Sequence, residues 1–486
     1  MFGKNKCQYI LILLILALVL IVPVLVSCGD GDKTNPTTSP TPTTTPTPTA
    51  TATPPQTATP APTISSDQTS IARSYVEAMA SGDYASAEAM GDSAMLAAAP
   101  AAIIEQFWQM LVIYNGAFQS LGDVTPAFSS PRASVIVPVT FANFIVGLKV
   151  LISQEGKVMG LGTVSITPRG GTPTPADYVN PDSFTESDVT VGSAPWALPG
   201  TLTMPNGTGP FPAVVLIAGS GPMDRDETFG LVKPLLDLAW GLASQGIAVL
   251  RYDKRTLVYS SQMAQLSDYT VKEEITEDAI SAISLLRSTP NIDPSRVFLI
   301  GHSLGAYLAP RIAAQVPGHL KGIAMLEAPS STMLQLIIVQ YEYSVSLQGS
   351  LTEQQQQQLD FLKQQVALAE SSDLSVSTTA LELLSGLPAS YGLDLRTYDP
   401  VTTAASLDIP LYFTQGGRDV QVPPSELKPF QTALEGKSNV TFKVYPELDH
   451  GLYTETGQSK ITDCYVPGHH MEGEAVSDLA TWILGN

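Results

Sequence analysis

Cysteine is scarce in this chain: its 486 residues contain three. So few exclude a fold held by disulfides, and the core has to be built by packing alone. Positive charge is also in short supply, with 25 Lys and Arg against 45 Asp and Glu and a formal net charge of -20. Nucleic acid, which proteins grip through Lys and Arg on its phosphates, is therefore excluded as a partner. The 37 glycines follow no period and apolar residues make up 44% of the chain, which removes the collagen-like and wholly disordered classes. Length allows two or three domains. The mean hydropathy is nevertheless positive at +0.13, and the excess has a local source.

That source is residues 9–26, apolar throughout except for Pro23 and preceded by Lys4 and Lys6. A short basic start before such a run is a secretory signal. It ends in Leu25-Val26-Ser27-Cys28-Gly29, which resembles the lipobox of bacterial lipoproteins. The resemblance implies that residues 1–27 are removed and that Cys28 carries lipid at the mature N-terminus. The expectation is an extracytoplasmic body anchored to a bacterial membrane through that lipid, with Cys464 left unpaired. Losing two lysines makes the body still more acidic, so a spacer should hold it away from anionic headgroups. Residues 28–66 supply one: positions 34–63 contain 14 Thr and 9 Pro in 30 residues and no charge. Such a stretch favours extended polyproline II, with a reach on the order of 90 Å.

Residues 67–168 read as a small α+β domain. Ile71, Tyr75, Val76 and Met79 recur at helical spacing before Gly82, and Ile103, Ile104, Phe107, Trp108 and Leu111 do so before Gly116. Strand-like runs follow at 133–141, 143–153 and 158–166. The domain resembles the ketosteroid-isomerase-like or cystatin-like unit that often precedes secreted bacterial hydrolases. It shows no paired acid and base, so a spacer or substrate-presenting role is expected. From 180 to 486 the chain alternates short apolar runs (213–218, 247–252, 297–300, 322–326 and 411–414) with helical patterns. This is an α/β architecture with a buried parallel sheet, in which chemistry sits beyond the carboxyl ends of the strands.

At one such end stands Gly301-His302-Ser303-Leu304-Gly305, between a β-branched strand and a helix-like segment. A nucleophile elbow requires that context, because the glycines relieve crowding at a strained turn that lifts the serine hydroxyl. A serine hydroxyl needs a base, and the chain has five histidines. His302 lies within the elbow and points away from its neighbour. His319 follows the next helix on the far side of the sheet, and His469 and His470 lie in a C-terminal loop. His450 follows a strand-like run, 440–445, at the correct edge, so it is the expected base. Asp419, beyond the strand at 411–414, is the expected acid; Asp449 competes only through being adjacent in sequence. The backbone amide of Leu304 is one candidate oxyanion donor, and Ser220, with Gly221 as the alternative, is the second.

These stretches resemble the secreted or lipoprotein α/β-hydrolase esterases, described as serine-aminopeptidase-like. The resemblance is carried by Gly219-Ser-Gly-Pro-Met-Asp-Arg-Asp226, Arg251-Tyr-Asp-Lys-Arg-Thr256, the elbow, Asp394-Leu-Arg-Thr-Tyr-Asp-Pro400 and Gly416-Gly-Arg-Asp-Val-Gln-Val422. It implies carboxylesterase activity on small acyl esters, with Ser303, Asp419 and His450 as the triad and no cofactor or metal. A peptidase or aminoacyl hydrolase with the same triad, or a non-catalytic binding lipoprotein, is the alternative. One departure is Ala218, where relatives usually have histidine. The charged runs Asp224 to Asp226 and Asp253 to Arg255 read as ion pairs that pin loops. Finally, more than 80 residues separate the strands near 326 and 411, too many for a bare loop. Helical spacing at Leu334, Ile337, Ile338 and Tyr341, and a capping box at Thr352 and Gln355, predict a helical cap over about 330–400.

Overall fold

The computed structural model describes residues 65–486 except 130–131, 143, 169–173, 230–231, 264, 267, 348, 379–387, 462 and 464–467. The apolar run at 9–26, Cys28, the Thr/Pro stretch and Cys464 lie outside the described residues.

Four helices open the described chain: α1 (Ser66–Ser81), α2 (Tyr84–Ala89), α3 (Ser93–Ala98) and α4 (Ala101–Asn115). Ser65 and Gln68 form a capping box on α1, and Gly82 ends it in a left-handed conformation that only glycine adopts without strain. Five antiparallel strands follow: β1 (Phe118–Leu121), β2 (Thr125–Ser129), β3 (Arg132–Phe141), β4 (Phe144–Ile152) and β5 (Val158–Pro168). Val135, Val137, Val139 and Phe141 alternate along β3 and are buried against Tyr75, Val76, Met79, Trp108 and Leu111 of the helices. Period two on the sheet meets period 3.6 on the helices, and one apolar core results. The sequence predicts three of these strands. It misses β1 and β2 because both are short and partly exposed, so they carry no apolar run.

The second sheet has eight strands: β6 (Phe184–Val191), β7 (Leu198–Pro205), β8 (Phe211–Ile217), β9 (Ala248–Tyr252), β10 (Ile292–His302), β11 (Gly322–Leu326), β12 (Leu411–Gly416) and β13 (Val440–Tyr445). Their spatial order is β13-β12-β11-β10-β8-β9-β7-β6. All neighbours from β13 to β9 pair in parallel, whereas β7 pairs antiparallel with both β9 and β6. The expected sheet is thus mixed at one edge. Along β6 most residues are exposed, four of them in a row at 185–188, so that strand lacks the continuous apolar run of a buried one.

Helices cover both faces. On β8, Ala213, Val215 and Ile217 face one core, shared with α8 (Glu277–Ser288) and α9 (Leu304–Gln315). Val214 and Leu216 face the other, shared with α5 (Pro234–Ser244) and α15 (Gly473–Gly485). Two one-turn helices, α6 (Arg255–Val258) and α7 (Ser260–Met263), precede α8. Between β11 and β12 run α10 (Met333–Ser346), α11 (Glu353–Glu370), α12 (Ala389–Arg396) and α13 (Pro400–Ala405), the expected cap insertion; α14 (Leu427–Ala433) follows β12. Capping boxes start α11 at Thr352 and Gln355, as the sequence predicts, and α10 at Thr332 and Gln335. Among the described residues, no helix is long and apolar enough to cross a membrane.

Candidate active site

Only Ser303 separates the end of β10 from the start of α9, and it pays for that sharp reversal with φ 52° and ψ -116°. Its amide donates to the Leu326 carbonyl at 3.0 Å and its carbonyl accepts from Tyr307 at 2.9 Å, so the strained backbone is held from both sides. Gly301 and Gly305 are required by contact. A Cβ on Gly301 would lie 2.2 Å from the Gly305 carbonyl oxygen, and one on Gly305 would lie 2.4 Å from that of Ile217.

Asp419 sits in the turn beyond β12. Its Oδ1 accepts from the amides of Gln421 at 2.7 Å and Val422 at 2.8 Å, which aims Oδ2 at His450 Nδ1, 2.7 Å away. Both residues are buried. The loop carrying His450 presses on the end of β12, where a Cβ on Gly416 would lie 2.4 Å from the Leu448 carbonyl oxygen. With Nδ1–H donated to Asp419, Nε2 is the nitrogen able to accept a proton. Asp449, the competing acid, instead accepts from the Gly451 amide at 2.9 Å and the Tyr453 amide at 3.0 Å. It staples its own loop, and burial pushes its carboxyl up to about 6.

The loop after β8 approaches the serine closely: a Cβ on Gly219 would lie 3.2 Å from that of Ser303. Gly219 is clamped at both polar groups. Its amide donates to Glu227 Oε1 at 2.7 Å, and its carbonyl accepts from Lys254 Nζ at 2.9 Å. Lys254 in turn pairs with buried Glu274 at 2.6 Å, and Tyr391 of α12 donates to the other Glu274 oxygen at 2.8 Å. Ser220 and Gly221 follow Gly219, while Leu304 opens α9, where first-turn amides have no partner within the helix.

His302, which the sequence does not single out as a base, nevertheless belongs to the site. Its Nδ1 lies 3.0 Å from both Glu227 oxygens and its Nε2 lies 2.8 Å from the His450 carbonyl oxygen. A carbonyl only accepts, so Nε2 carries a proton. Burial alone would lower the affinity of this ring for a second proton. The Glu227 charge and hydrogen bond, with the His450 carbonyl, outweigh burial and raise the pKa to about 9. No motif or spacing marks this pair in the sequence, because Glu227 and His302 lie 75 positions apart.

Glu327 was also missed, although it directly follows the apolar run of β11 at the edge where chemistry is expected. It is fully buried, at φ 51°, and accepts from the Gly416 amide at 2.9 Å and from Gln415 Nε2 at 2.8 Å. One carboxylate oxygen each from Glu327 and Asp419 and one ring nitrogen of His450 lie within 4.8 Å of one another. The charged runs take the structural role expected of them. Arg225 pairs with Asp253 at 2.9 Å, Asp226 with Lys233 at 2.8 Å and with Arg251, and Arg255 with Asp278 at 2.5 Å. His470 pairs with Asp237, remote from these groups in the fold. The cap grips the acid turn: Gln340 of α10 donates to the Gln421 carbonyl at 2.8 Å, and Glu426 accepts from the amides of Ser330 and Ser331 at the base of the cap.

A serine strained between strand and helix, on a sheet of this order whose loops also carry a buried His-Asp pair, is the arrangement of an α/β-hydrolase. The chain belongs to the α/β-hydrolase esterase family. It is 33% identical over 410 residues to the esterase EstD of Thermotoga maritima, spanning 84% of this chain and 94% of EstD. Residues 232–457 match the serine aminopeptidase S33 hydrolase family. The esterase FrsA of Escherichia coli is 30% identical over 155 residues, covering 32% of this chain and 34% of FrsA. Solved structures with a likeness include Est1E from Butyrivibrio proteoclasticus, with 16% identity and a TM-score of 0.40 over 62% of this chain and 99% of Est1E. Dipeptidyl peptidase 4 of Porphyromonas gingivalis gives 16% identity and a TM-score of 0.40 over 75% of this chain and 44% of its own.

Proposed function

We propose that this protein is a serine carboxylesterase that hydrolyses small acyl esters through Ser303, His450 and Asp419. The observation that carries the proposal is the buried 2.7 Å contact of His450 Nδ1 with Asp419, at the sheet edge where Ser303 is held strained. His450 Nε2 takes the hydroxyl proton as Ser303 Oγ attacks the ester carbonyl, and Asp419 stabilises the imidazolium that forms. The amides of Leu304 and Ser220, or Gly221 in place of Ser220, receive the negative oxygen. Collapse of this intermediate expels the alcohol, which leaves with the proton from His450. Water then attacks the acyl-enzyme by the same steps in reverse order, releasing the acid and restoring Ser303. No step requires a metal or cofactor.

The same groups cleave amides, so the test is a comparison of leaving groups. Turnover of p-nitrophenyl acetate and butyrate should exceed that of aminoacyl p-nitroanilides by at least about 100-fold in kcat/KM, the order of discrimination that site contacts supply. Faster turnover of the anilides would make the enzyme a peptidase.

The expected location adds a second part to the proposal. Cys28 is lipidated, and the Thr/Pro stretch holds the hydrolase off a bacterial membrane. In a bacterial host, the wild type should partition with detergent and incorporate labelled palmitate, and Cys28→Ala should do neither. Equal incorporation by both would rule out Cys28 as the lipid attachment.

A further inference from the structure

Among the described residues, Glu327 is the buried carboxyl grouped with both His450 and Asp419 that the mechanism above leaves without a task. Its position is not incidental. It stands at the end of β11, between the strand that delivers the nucleophile and the strand that delivers the acid, and its backbone adopts φ 51° to do so. A non-glycine residue held in that region is strained, and such residues gather at functional sites. Ser303 and Glu227 share the feature, with φ 52° and 53°.

Two carboxylates this close cannot both remain charged in a buried site; one proton or one cation must lie with them. The surrounding groups favour a proton. Asp419 Oδ1 already accepts two amides, Glu327 Oε1 accepts from the Gly416 amide, and Glu327 Oε2 accepts from both that amide and Gln415 Nε2. Hydrogen-bond donors therefore occupy positions that a coordinated cation would need. Gln415 Nε2 also donates to the Gly416 and Val422 carbonyls, so its nitrogen, not its oxygen, faces Glu327.

We propose that Glu327 and Asp419 share one proton, and that Glu327 is a positioning residue which fixes the Asp419 carboxylate against His450 and replaces it as the anion when Asp419 is lost. In the intact enzyme the proton resides on Glu327, which donates to Asp419 and leaves Asp419 free to face the imidazole. Burial first, and then the charge of Asp419, raise the Glu327 carboxyl well above the usual range, with Asp449 adding to the effect. The titratable groups beside the pair are His450, Asp449 and, with its ring tilted against that of His450 at 4.8 Å between centroids, His302, which Glu227 holds. Once Asp419 is gone, Glu327 loses its like-charged neighbour, ionises, and faces the imidazole.

The inference rests on the triad reading, and a double-mutant cycle on p-nitrophenyl butyrate separates the two. Glu327→Gln keeps the shape and a donor, and should lower kcat about threefold to tenfold in the wild type, the effect of one weakened hydrogen bond to a charged group. Asp419→Ala should lose about 100-fold, whereas Asp419→Ala with Glu327→Gln should approach the roughly 10,000-fold loss seen when a triad acid is neutralised. A group acting only through stability would give the same factor in both backgrounds. The pH–rate profile of Asp419→Ala should also gain an acid limb that Glu327→Gln removes. Equal factors and unchanged profiles would overturn the proposal. If Asp419→Ala does not fold, the cycle starts from Asp419→Asn and the same inequality is required. Ser303→Ala serves as control: retained turnover in that variant would sink the triad itself, while an inactive Ser303→Ala with an additive cycle would remove only the role of Glu327.

Discussion

Ser303→Ala is expected to lower kcat toward short esters by about a millionfold and to abolish labelling by a fluorophosphonate, while the fold survives. The magnitude follows from how a triad fails, since losing the nucleophile alone costs about as much as losing all three members. Survival of the fold follows from the local geometry. The contacts that hold the elbow are made by the Ser303 amide and carbonyl, to Leu326 and from Tyr307, and alanine keeps both. Alanine at φ 52° is no more strained than serine, so the melting temperature should move little. Phosphonate labelling and thermal unfolding of the variant check both statements. Labelling that persists would place the nucleophile elsewhere.

The elbow was legible in the sequence because its requirements are local. Two glycines with no room for a Cβ, an apolar strand before them and a helix after them all fall within about 20 consecutive residues. His450 and Asp419 were legible because each follows a recognisable strand. The central strands β8 to β12 could be read from their apolar runs, whereas β6, mostly exposed, and β7, where Pro199 and Gly200 interrupt the pattern, could not. Glu227 and Glu327 were not legible as site residues, for a different reason. A carboxyl declares itself in sequence through a motif or a fixed spacing, and these two act through groups brought near only by the fold. The loop after β8 bends back to place Glu227 beneath Gly219, and parallel register sets Glu327 beside Gly416.

Breaking the Glu227–His302 pair should be the most damaging change that leaves the triad in place. Glu227→Ala is expected to destabilise the protein by about 3–5 kcal/mol, as losing one partner of a buried ion pair does. Three groups lose a partner at once: the His302 ring, the Gly219 amide and, through the ring, the His450 carbonyl. The Gly219 loop and the His450 loop are thereby both released, so kcat should fall as well as stability. pH dependence distinguishes this account from simple loss of packing. The His302 pKa is raised in the folded protein from 6.5 to about 9. A group raised on folding contributes stability fully below its unfolded pKa, and that contribution disappears as pH climbs through the folded value. Stability of the wild type should therefore decline between about pH 6.5 and 9 by on the order of 3 kcal/mol, the energy equivalent of the shift. Glu227→Gln, whose amide can meet a neutral imidazole, should be less stable than wild type at pH 6 and should show a much flatter curve up to pH 9. Chemical denaturation at pH 6, 7, 8 and 9 measures both curves, and parallel declines in the two proteins would show that His302 carries no charge in the fold.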